Sequence, residues 1–480
     1  MQPERLLHDL WRLARADPSA LTWVRFSATD RSLPSSFHVG PVAAASIAAQ
    51  ALAAAQLWQL RSGEPQAVEV HQRRALAMFR SERYLTVNGQ PPKDPFSPLF
   101  GYYATRDGRW IQLHTNFAQH HQGVLRVLGC EDRREAVATS ILQYNAADLE
   151  QQLADASLCA AWVRTPEEWQ AHPQAAAIAA LPLFEIERIG DAPPEPLNPS
   201  SPSAAPRSTS TSSSSAAPRP LSGVRVLDLS RVIAAPVAAR TLAQHGADVL
   251  AISAAHLPNI ESLLIDTGRG KRSAQIDLRD ASGQATLCEL VRGTDVFLQA
   301  YRPGALAARG FDAQALCALR PGLIQVSLSA YGHAGPWAGR RGFDSLVQSA
   351  TGIAFDEGRA AGLATPGRLP CQVNDHASGY LAACAAMIAL QRRAREGGSW
   401  QVRVSLAQTG HWLRSLGRVA DGIGAPDLSA DEVAPWRHTM DSPFGRISAI
   451  APVEQMALTP PRFDLPPVPP GTHAPAWWAG

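Results

Sequence analysis

Residues 223–253 read GVRVLDLSRVIAAPVAARTLAQHGADVLAIS, and this stretch decides the fold prediction for the second half of the chain. Its first part, 223–230, is a short apolar run that predicts a buried strand, and 247–253 predicts the next strand. Between them, residues 236–246 carry Pro in the first turn and Gly at the end, as helices do. A strand, a helix and another strand in close succession are typical of a parallel α/β unit.

The same alternation continues further along the chain. Strands are predicted at 273–278, 295–299 and 322–329, with helices at 281–292 and 312–319. This spacing predicts an α/β fold whose mostly parallel sheet has helices on both faces.

The first half of the chain has a different pattern. Residues 41–62 are Ala-rich and predict a helix, and 101–115 predict a hairpin with Asp-Gly at its turn. Further helical stretches with short extended pieces continue to about residue 190. A smaller α+β domain is therefore expected in this half.

The composition is that of a globular protein. The chain has 480 residues, of which 45% are hydrophobic and 18% charged, so two or more domains are expected. A net charge of +2 gives no electrostatic reason to expect nucleic acid or a membrane as the main partner. The six cysteines include no C-x-x-C pair, which favours a reducing, cytoplasmic location. The most apolar run, 42–55, is short and contains Gln50, so it predicts a buried helix rather than a membrane span.

Two features divide the chain. Residues 193–220 consist almost entirely of Pro, Ser, Ala and Thr and predict a disordered linker. Residues 39–70 align without a gap on 373–404, and in both copies a helix, a Gly-containing turn and a V-x-V strand follow one another. Ala-rich helices also align by chance, but the shared turn and strand favour duplication. Asp375 of the second copy corresponds to Pro41 of the first.

Two segments are candidates for binding an anion. The turn SRVIAAP (230–236) leads from a strand into a helix whose N-terminal amides could face an anion, although the G-x-G-x-x-G fingerprint is absent. In DTGRGKRSAQIDL (266–278), glycines separate Arg269, Lys271 and Arg272, and such a loop can wrap a phosphate. An ordinary turn and a solvated basic loop remain the alternatives.

A third candidate, QAYRPGALAARG (299–310), places Arg302 and a rigid Pro-Gly turn directly after a strand. This is the edge at which open α/β sheets bind ligands, and a purely structural turn is the alternative.

Two acidic residues precede helices. Asp344 stands near the start of a helix after the Gly-rich loop 329–335, where a simple helix-terminus charge is the alternative. His333 in that loop has no matching ligand partners nearby, so no metal site is predicted. Asp375 stands at the head of a long apolar helix, beside His376. It is either an N-cap or a carboxylate that the helix terminus keeps ionised and directs into a cleft as a nucleophile.

These segments, in order and spacing, strongly resemble family III CoA-transferases (the CaiB/BaiF type) from about residue 221 to 406. The resemblance implies a Rossmann-like large domain, with Asp375 as the catalytic aspartate and Asp344 as a supporting acidic position. It also implies that coenzyme A binds near a set of basic residues, namely Arg269, Lys271, Arg272, Arg302 and Arg341.

The resemblance also implies an unusual domain order. VEVHQRRALAMF, YYATRDGRWIQLH and RTPEEWQAHPQ in the first half resemble the family's smaller domain, which normally follows the V-x-V strand. The predicted organisation begins with a degenerate copy of the large-domain helix and strand (1–80) and a small α+β domain (81–192). A linker (193–220), the large domain (221–410) and a C-terminal return segment (411–480) follow. A homodimer is a candidate assembly, but this order leaves open whether the family's interlocked dimer forms. This chain departs from the family at two places. Relatives often have Gly where Ala235 stands, and they often have a charged residue where this chain has the neutral stretch AISAAHLPN. These differences put the adenosine end of the coenzyme A pocket in question.

The resemblance implies that Asp375 attacks an acyl-CoA thioester and forms an aspartyl-CoA thioester, from which CoA passes to an acceptor carboxylate. It also implies that the reaction needs no metal. The rival within this fold is a 2-methylacyl-CoA racemase, whose members carry His where Asp344 stands, so Asp344 favours transfer. The rival from another class is a non-catalytic CoA-binding protein.

Overall fold

A computed structural model describes residues 1–29, 32–93, 96–197 and 217–478. Most of the predicted linker, 198–216, lies outside the described residues.

The α-helices in these ranges are α1 (Pro3–Leu13), α2 (Val39–Ser62), α3 (Gln72–Met78), α4 (Ala118–Leu128), α5 (Arg134–Ile141), α6 (Ala146–Asp155), α7 (Pro166–Gln170), α8 (Pro173–Ala179), α9 (Ala234–Gln244), α10 (Glu261–Thr267), α11 (Ala281–Arg292), α12 (Ala313–Leu319), α13 (Asp344–Ala350), α14 (Ile353–Ala360), α15 (Val373–Glu396), α16 (Leu406–Ser415) and α17 (Ala430–Val433). The strands are β1 (Val24–Ser27), β2 (Val68–His71), β3 (Thr86–Val87), β4 (Gly101–Ala104), β5 (Trp110–Leu113), β6 (Ala160–Trp162), β7 (Phe184–Gly190), β8 (Arg225–Leu229), β9 (Asp248–Ser253), β10 (Lys271–Gln275), β11 (Val296–Gln299), β12 (Ile324–Ser329), β13 (Ser399–Ser405), β14 (Arg437–Ser442), β15 (Gly445–Ile450) and β16 (Glu454–Met456).

A seven-stranded sheet forms the centre of the molecule, in the order β10-β9-β8-β11-β12-β13-β7. The six strands from the second half pair in parallel. Their central members β8, β11 and β12 are mostly buried, because helices cover both faces of a parallel sheet. The predicted α/β class is confirmed.

The seventh strand, β7, comes from the first half of the chain and pairs antiparallel with β13. Just beyond it, Glu195 forms an ion pair with Arg320 of the large sheet's domain, with 2.7 Å between Oε1 and Nη2. The predicted small domain at 81–192 therefore contributes its last strand to the other domain, and the two halves share one sheet.

Three smaller sheets complete the fold. They have the orders β1-β2-β16, β14-β15-β3 and β4-β5-β6. The first two combine strands from both ends of the chain, so the C-terminal segment is built into the first half. The third contains the predicted hairpin, with β4 and β5 antiparallel around Asp107 and Gly108.

The two copies of the proposed repeat are equivalent helices. α2 and α15 are both 24 residues long, and their first residues, Val39 and Val373, occupy the same place in the alignment. They pack directly on one another, with the Cys384 thiol donating to the Ala49 carbonyl at 3.3 Å. In the described ranges α2 is the one helix long and apolar enough to span a membrane, and its apolar run 42–55 is buried in the protein, as predicted.

Gly379 allows α15 and α9 to approach closely. A Cβ at this position would lie 2.5 Å from the Ala234 carbonyl oxygen and 2.9 Å from the Val237 side chain. Because the obstruction is backbone, the helices would have to move apart. Gly379 lies one turn after Asp375, so this contact fixes the aspartate against the start of α9.

We expect Gly379→Ala to lower the free energy of unfolding by about 1–3 kcal/mol, the usual cost of overpacking. Urea denaturation measures this change. Gly424→Ala is the matched control, since a Cβ there meets no atom within 4 Å. Equal stability of the two variants would contradict the proposed role of the close contact.

Candidate active site

A cavity of about 480 Å³ opens along the carboxyl edge of the large sheet. Its walls are the segments that follow five of the parallel strands, namely 231–235, 252–257, 276–279, 300–306 and 328–330. This is where open α/β sheets place ligands. Asp375 lies at the wall of this cavity.

Asp375 is not the N-cap of α15, contrary to the structural alternative. The N-cap is Gln372, and the side chain of Asp375 stands at the third helical position. Only 7% of Asp375 is exposed. Among the described residues its carboxylate accepts no hydrogen bond and forms no ion pair. A carboxylate held at a cavity wall without a partner is an unusual arrangement for a structural residue.

Asp344 holds the start of α15 in place. Its Oδ2 accepts the backbone N–H of Asp375 at 2.9 Å, and its Oδ1 accepts the side-chain amide of Gln348. Asp344 is 1% exposed and is not among the residues that line the cavity. Its carboxylate therefore positions Asp375 through the backbone rather than facing the cavity.

The two aspartates share an electrostatic environment that opposes ionisation. Burial raises the pKa of Asp344 to about 6. Burial, followed by the charges of Asp344 and Glu82, raises the pKa of Asp375 well above its usual range. The helix N-terminus was expected to keep Asp375 ionised. Desolvation and two neighbouring acids instead favour the protonated form of its carboxyl group.

Glu82 is an acidic residue close enough to affect Asp375, and no sequence pattern singles it out. It lies in a 3₁₀ helix (Ser81–Arg83) of the first half, far from Asp375 in sequence. Its Oε2 lies 3.3 Å from Nε2 of His376, and the His376 ring stacks on Phe79 with 5.3 Å between centroids. His376 is therefore turned away from the cavity.

The rim of the cavity is rich in arginine. Arg302 and Arg341, both predicted to bind coenzyme A, are exposed and line it. Neither forms an ion pair in the described ranges. Four further arginines that the predictions omitted also line it, namely Arg231, Arg279, Arg309 and Arg340.

The other three predicted coenzyme-binding residues lie inside the protein. Arg269 pairs with Asp266, Lys271 with Asp228 and Arg272 with Asp248, at 2.7 to 2.8 Å. Each of the three basic side chains is at most 4% exposed. Strand β10 begins at Lys271, two residues before the predicted start, so this segment is strand rather than a flexible loop. These buried pairs oppose the predicted phosphate-binding role, because the charges are already neutralised.

The predicted anion site at the head of α9 does face the cavity. Ile233, Ala234 and Ala235 line it, and the first helical amides have no partner within the helix. Val232 just before them has φ of +76°, which is strained for a β-branched residue. Of the Gly-rich loop, Ser329 and Ala330 line the cavity.

His333 does not belong to the site. It is exposed and lies 3.7 Å from Glu185. Within the described ranges, no group of three His, Cys, Asp or Glu side chains is arranged to hold a metal ion.

The sequence profile of CoA-transferase family III matches residues 19–194 and 221–419, more than half of the chain. The chain belongs to CoA-transferase family III. The two matched segments are consistent with the predicted tandem arrangement, and the unmatched gap between them coincides with the predicted linker.

Curated relatives carry transferase names. An acetyl-coenzyme A transferase of Hypoxylon pulicicidum is 31% identical over 66% of this chain and 54% of its own length. A succinyl-CoA–D-citramalate CoA-transferase of Chloroflexus aurantiacus is 28% identical over 51% of this chain and 68% of its own. This chain spans 54% to 64% of the length of the first curated relatives that it matches.

Among solved structures, a crystal structure of a Mycobacterium tuberculosis protein is 32% identical. The match covers 41% of this family III chain and 56% of that one, with a TM-score of 0.38.

Proposed function

We propose that this protein transfers coenzyme A from an acyl thioester to a carboxylic acid through a covalent intermediate on Asp375. The observation that carries the proposal is the unpartnered carboxylate of Asp375 in the wall of a cavity with an arginine-rich rim. A nucleophile must be free to attack, and a carboxylate engaged in capping or an ion pair would not be.

The arginine rim supports coenzyme A as the ligand. CoA carries a 3′-phosphate and a pyrophosphate, and Arg binds phosphate oxygens through paired N–H donors. Arg302 and Arg341 have no acidic partner among the described residues, so their donors are available for these groups. Contacts with the remote phosphates would supply binding energy that places the thioester at Asp375.

The chemistry proceeds by covalent exchange. In its ionised form, which the raised pKa makes more abundant as pH rises, Asp375 attacks the thioester carbonyl, and the C–S bond breaks to give an acyl-aspartyl anhydride and CoA thiolate. The thiolate then attacks the aspartyl carbonyl, which releases the donor carboxylate and forms an aspartyl-CoA thioester. An acceptor carboxylate repeats the exchange in reverse and leaves with CoA. The amides at the head of α9 are placed to stabilise negative charge on the carbonyl oxygen.

The placement of Asp344 favours transfer over racemisation. A racemase needs an acid and a base on opposite faces of the α-carbon. The Asp344 carboxylate oxygens accept hydrogen bonds from the Asp375 N–H and the Gln348 side-chain amide instead of facing the cavity, which leaves one carboxylate facing a substrate. Deuterium exchange at the α-carbon without CoA exchange would favour the racemase, and CoA binding without either activity would favour a binding protein.

Hydroxylamine trapping tests the covalent step. We expect the protein incubated with an acyl-CoA and hydroxylamine to gain a hydroxamate at Asp375, because both the anhydride and the aspartyl thioester are open to attack by an amine. Peptide mass spectrometry locates the modification. Modification that persists in Asp375→Ala, or its absence from the wild-type protein during CoA exchange, would overturn the assignment.

A further inference from the structure

Two acidic side chains act on Asp375, and one of them comes from the first half of the chain. Asp344, from the second half, accepts the backbone N–H of Asp375. Glu82 belongs to the 3₁₀ helix Ser81–Arg83, which follows α3. The proposed reaction gives Glu82 no role of its own.

The backbone that carries Glu82 is held against the second half of the chain at two points. The Arg80 Nε donates to the Pro370 carbonyl at 2.9 Å, in the segment that leads into α15. The Ser81 hydroxyl donates to the buried carboxylate of Asp266 at 2.6 Å. Glu82 is therefore fixed beside the start of α15 by contacts with two separate segments.

The side chain of Glu82 points at α15. Its Oε2 lies 3.3 Å from Nε2 of His376, the residue directly after Asp375. The His376 side chain is 1% exposed and its ring stacks on Phe79, which also stacks on Tyr380 one turn further along α15. Because this stacking immobilises the imidazole, the contact with His376 keeps the Glu82 carboxylate next to the first turn of the helix.

The positive charges near this cluster do not cancel its effect on Asp375. Arg83 Nε lies 3.7 Å from Glu82 Oε1, but the Arg83 side chain is 45% exposed, so water screens its charge. The cavity that Asp375 faces is also lined by arginines, namely Arg231, Arg340 and Arg341. Burial, followed by the charges of Asp344 and Glu82, still raises the pKa of Asp375 well above its usual range.

We propose that Glu82, held beside α15 by His376, is a positioning residue that sets the pH above which Asp375 acts as a nucleophile. This inference rests on the proposed function, since it takes Asp375 as the attacking group. A carboxylate that is harder to ionise gives a more basic anion once its proton has left, and nucleophiles in active sites are adjusted in this way. The first half of the chain thereby controls the reactivity of a residue in the second half.

The free energy of unfolding reports the ionisation of Asp375 without requiring turnover. The stability advantage of Asp375→Asn over the wild-type protein should grow with pH until native Asp375 ionises, and then level off. Glu82→Gln removes the charge and keeps an oxygen that can face His376. In that background the advantage should level off at a pH about one unit lower, because ionised Asp375 is less strongly opposed. Urea unfolding of the four proteins from pH 4 to pH 9 measures this shift.

The rate of CoA exchange should shift in the same direction. We expect the acidic midpoint of its pH profile to fall by about one unit in Glu82→Gln. Glu82→Asp keeps the charge and should keep the midpoint close to that of the wild-type protein. Glu64→Gln is the matched control, since it removes an exposed glutamate of the first half and should leave the profile unchanged.

A purely structural role for Glu82 would lower stability or rate equally at every pH. That result, or the same pH dependence of the Asp375→Asn advantage in both backgrounds, would overturn the inference. A downward shift in the unfolding data without a hydroxamate at Asp375 would support control of Asp375 by Glu82 and remove the proposed chemistry. A hydroxamate with no shift in either measurement would keep the chemistry and remove Glu82 from it.

Discussion

Asp375→Asn is expected to lower CoA transfer by about a thousandfold or more while making the folded protein more stable at alkaline pH. The amide has nearly the shape of the carboxylate but cannot attack a thioester, so the covalent route is lost. CoA exchange between an acyl-CoA and a labelled carboxylate measures the first effect. Substantial exchange by the variant would remove Asp375 from the mechanism.

The stability gain follows from the raised pKa of Asp375. Burial and the charges of Asp344 and Glu82 make the native state hold the Asp375 proton more tightly than the unfolded state does. The free energy of unfolding therefore falls as pH rises from about 4, the pKa of an unfolded aspartate, through the higher native pKa. The amide variant escapes this loss, so its advantage should be small at pH 4 and should grow as the pH rises to 8.

Thermal or urea unfolding of both proteins across this pH range measures the difference. An advantage that is constant with pH, or that shrinks as pH rises, would contradict a raised pKa at Asp375. Glu289→Gln is the control, because Glu289 forms an exposed ion pair with Arg292 on α11. Its effect should be near zero throughout.

Asp266→Asn is expected to destabilise the protein by about 3–5 kcal/mol at neutral pH. Asp266 is 1% exposed and pairs with both Arg240 and Arg269, each at 2.7 Å. It also accepts the hydroxyl of Ser81 at 2.6 Å, which joins the first half of the chain to the second. Loss of the carboxylate would leave two buried guanidinium groups without their counter-charge.

The contribution of Asp266 to the free energy of unfolding changes with pH in the opposite direction from the contribution of Asp375. Burial alone would raise the pKa of Asp266, but Arg240 and Arg269 outweigh it and lower the pKa. This pair network stabilises the fold above the pKa of an unfolded aspartate, about 4, and the stabilisation is lost as pH falls through the lower native pKa. Urea unfolding of Asp266→Asn at pH 7 measures the effect, and a loss under 1 kcal/mol would show that the network contributes little.

The sequence predicted the parts of the fold that depend on local pattern. Strands β8, β9, β11 and β12 lie within two residues of their predicted positions, because apolar runs bounded by Gly and Pro determine them locally. Asp375 was also identifiable, through its position at the head of α15 and through the family resemblance.

Properties that depend on long-range contacts were not predictable in the same way. Arg269, Lys271 and Arg272 have the composition of a phosphate loop, and only the folded positions of Asp266, Asp228 and Asp248 reveal that they form buried ion pairs. Glu82 belongs to no motif, since it comes near Asp375 only through the packing of the first half on the second.

Strand β7 has a consequence for how the chain holds together. Its pairing with β13 adds a strand from before residue 198 to the edge of the sheet formed after residue 217. β2 is likewise held by β16 from the far end of the chain. Two polypeptides separated between residues 197 and 217 would each expose a sheet edge that the other half covers in the intact chain. Each half of the chain therefore completes a sheet of the other half.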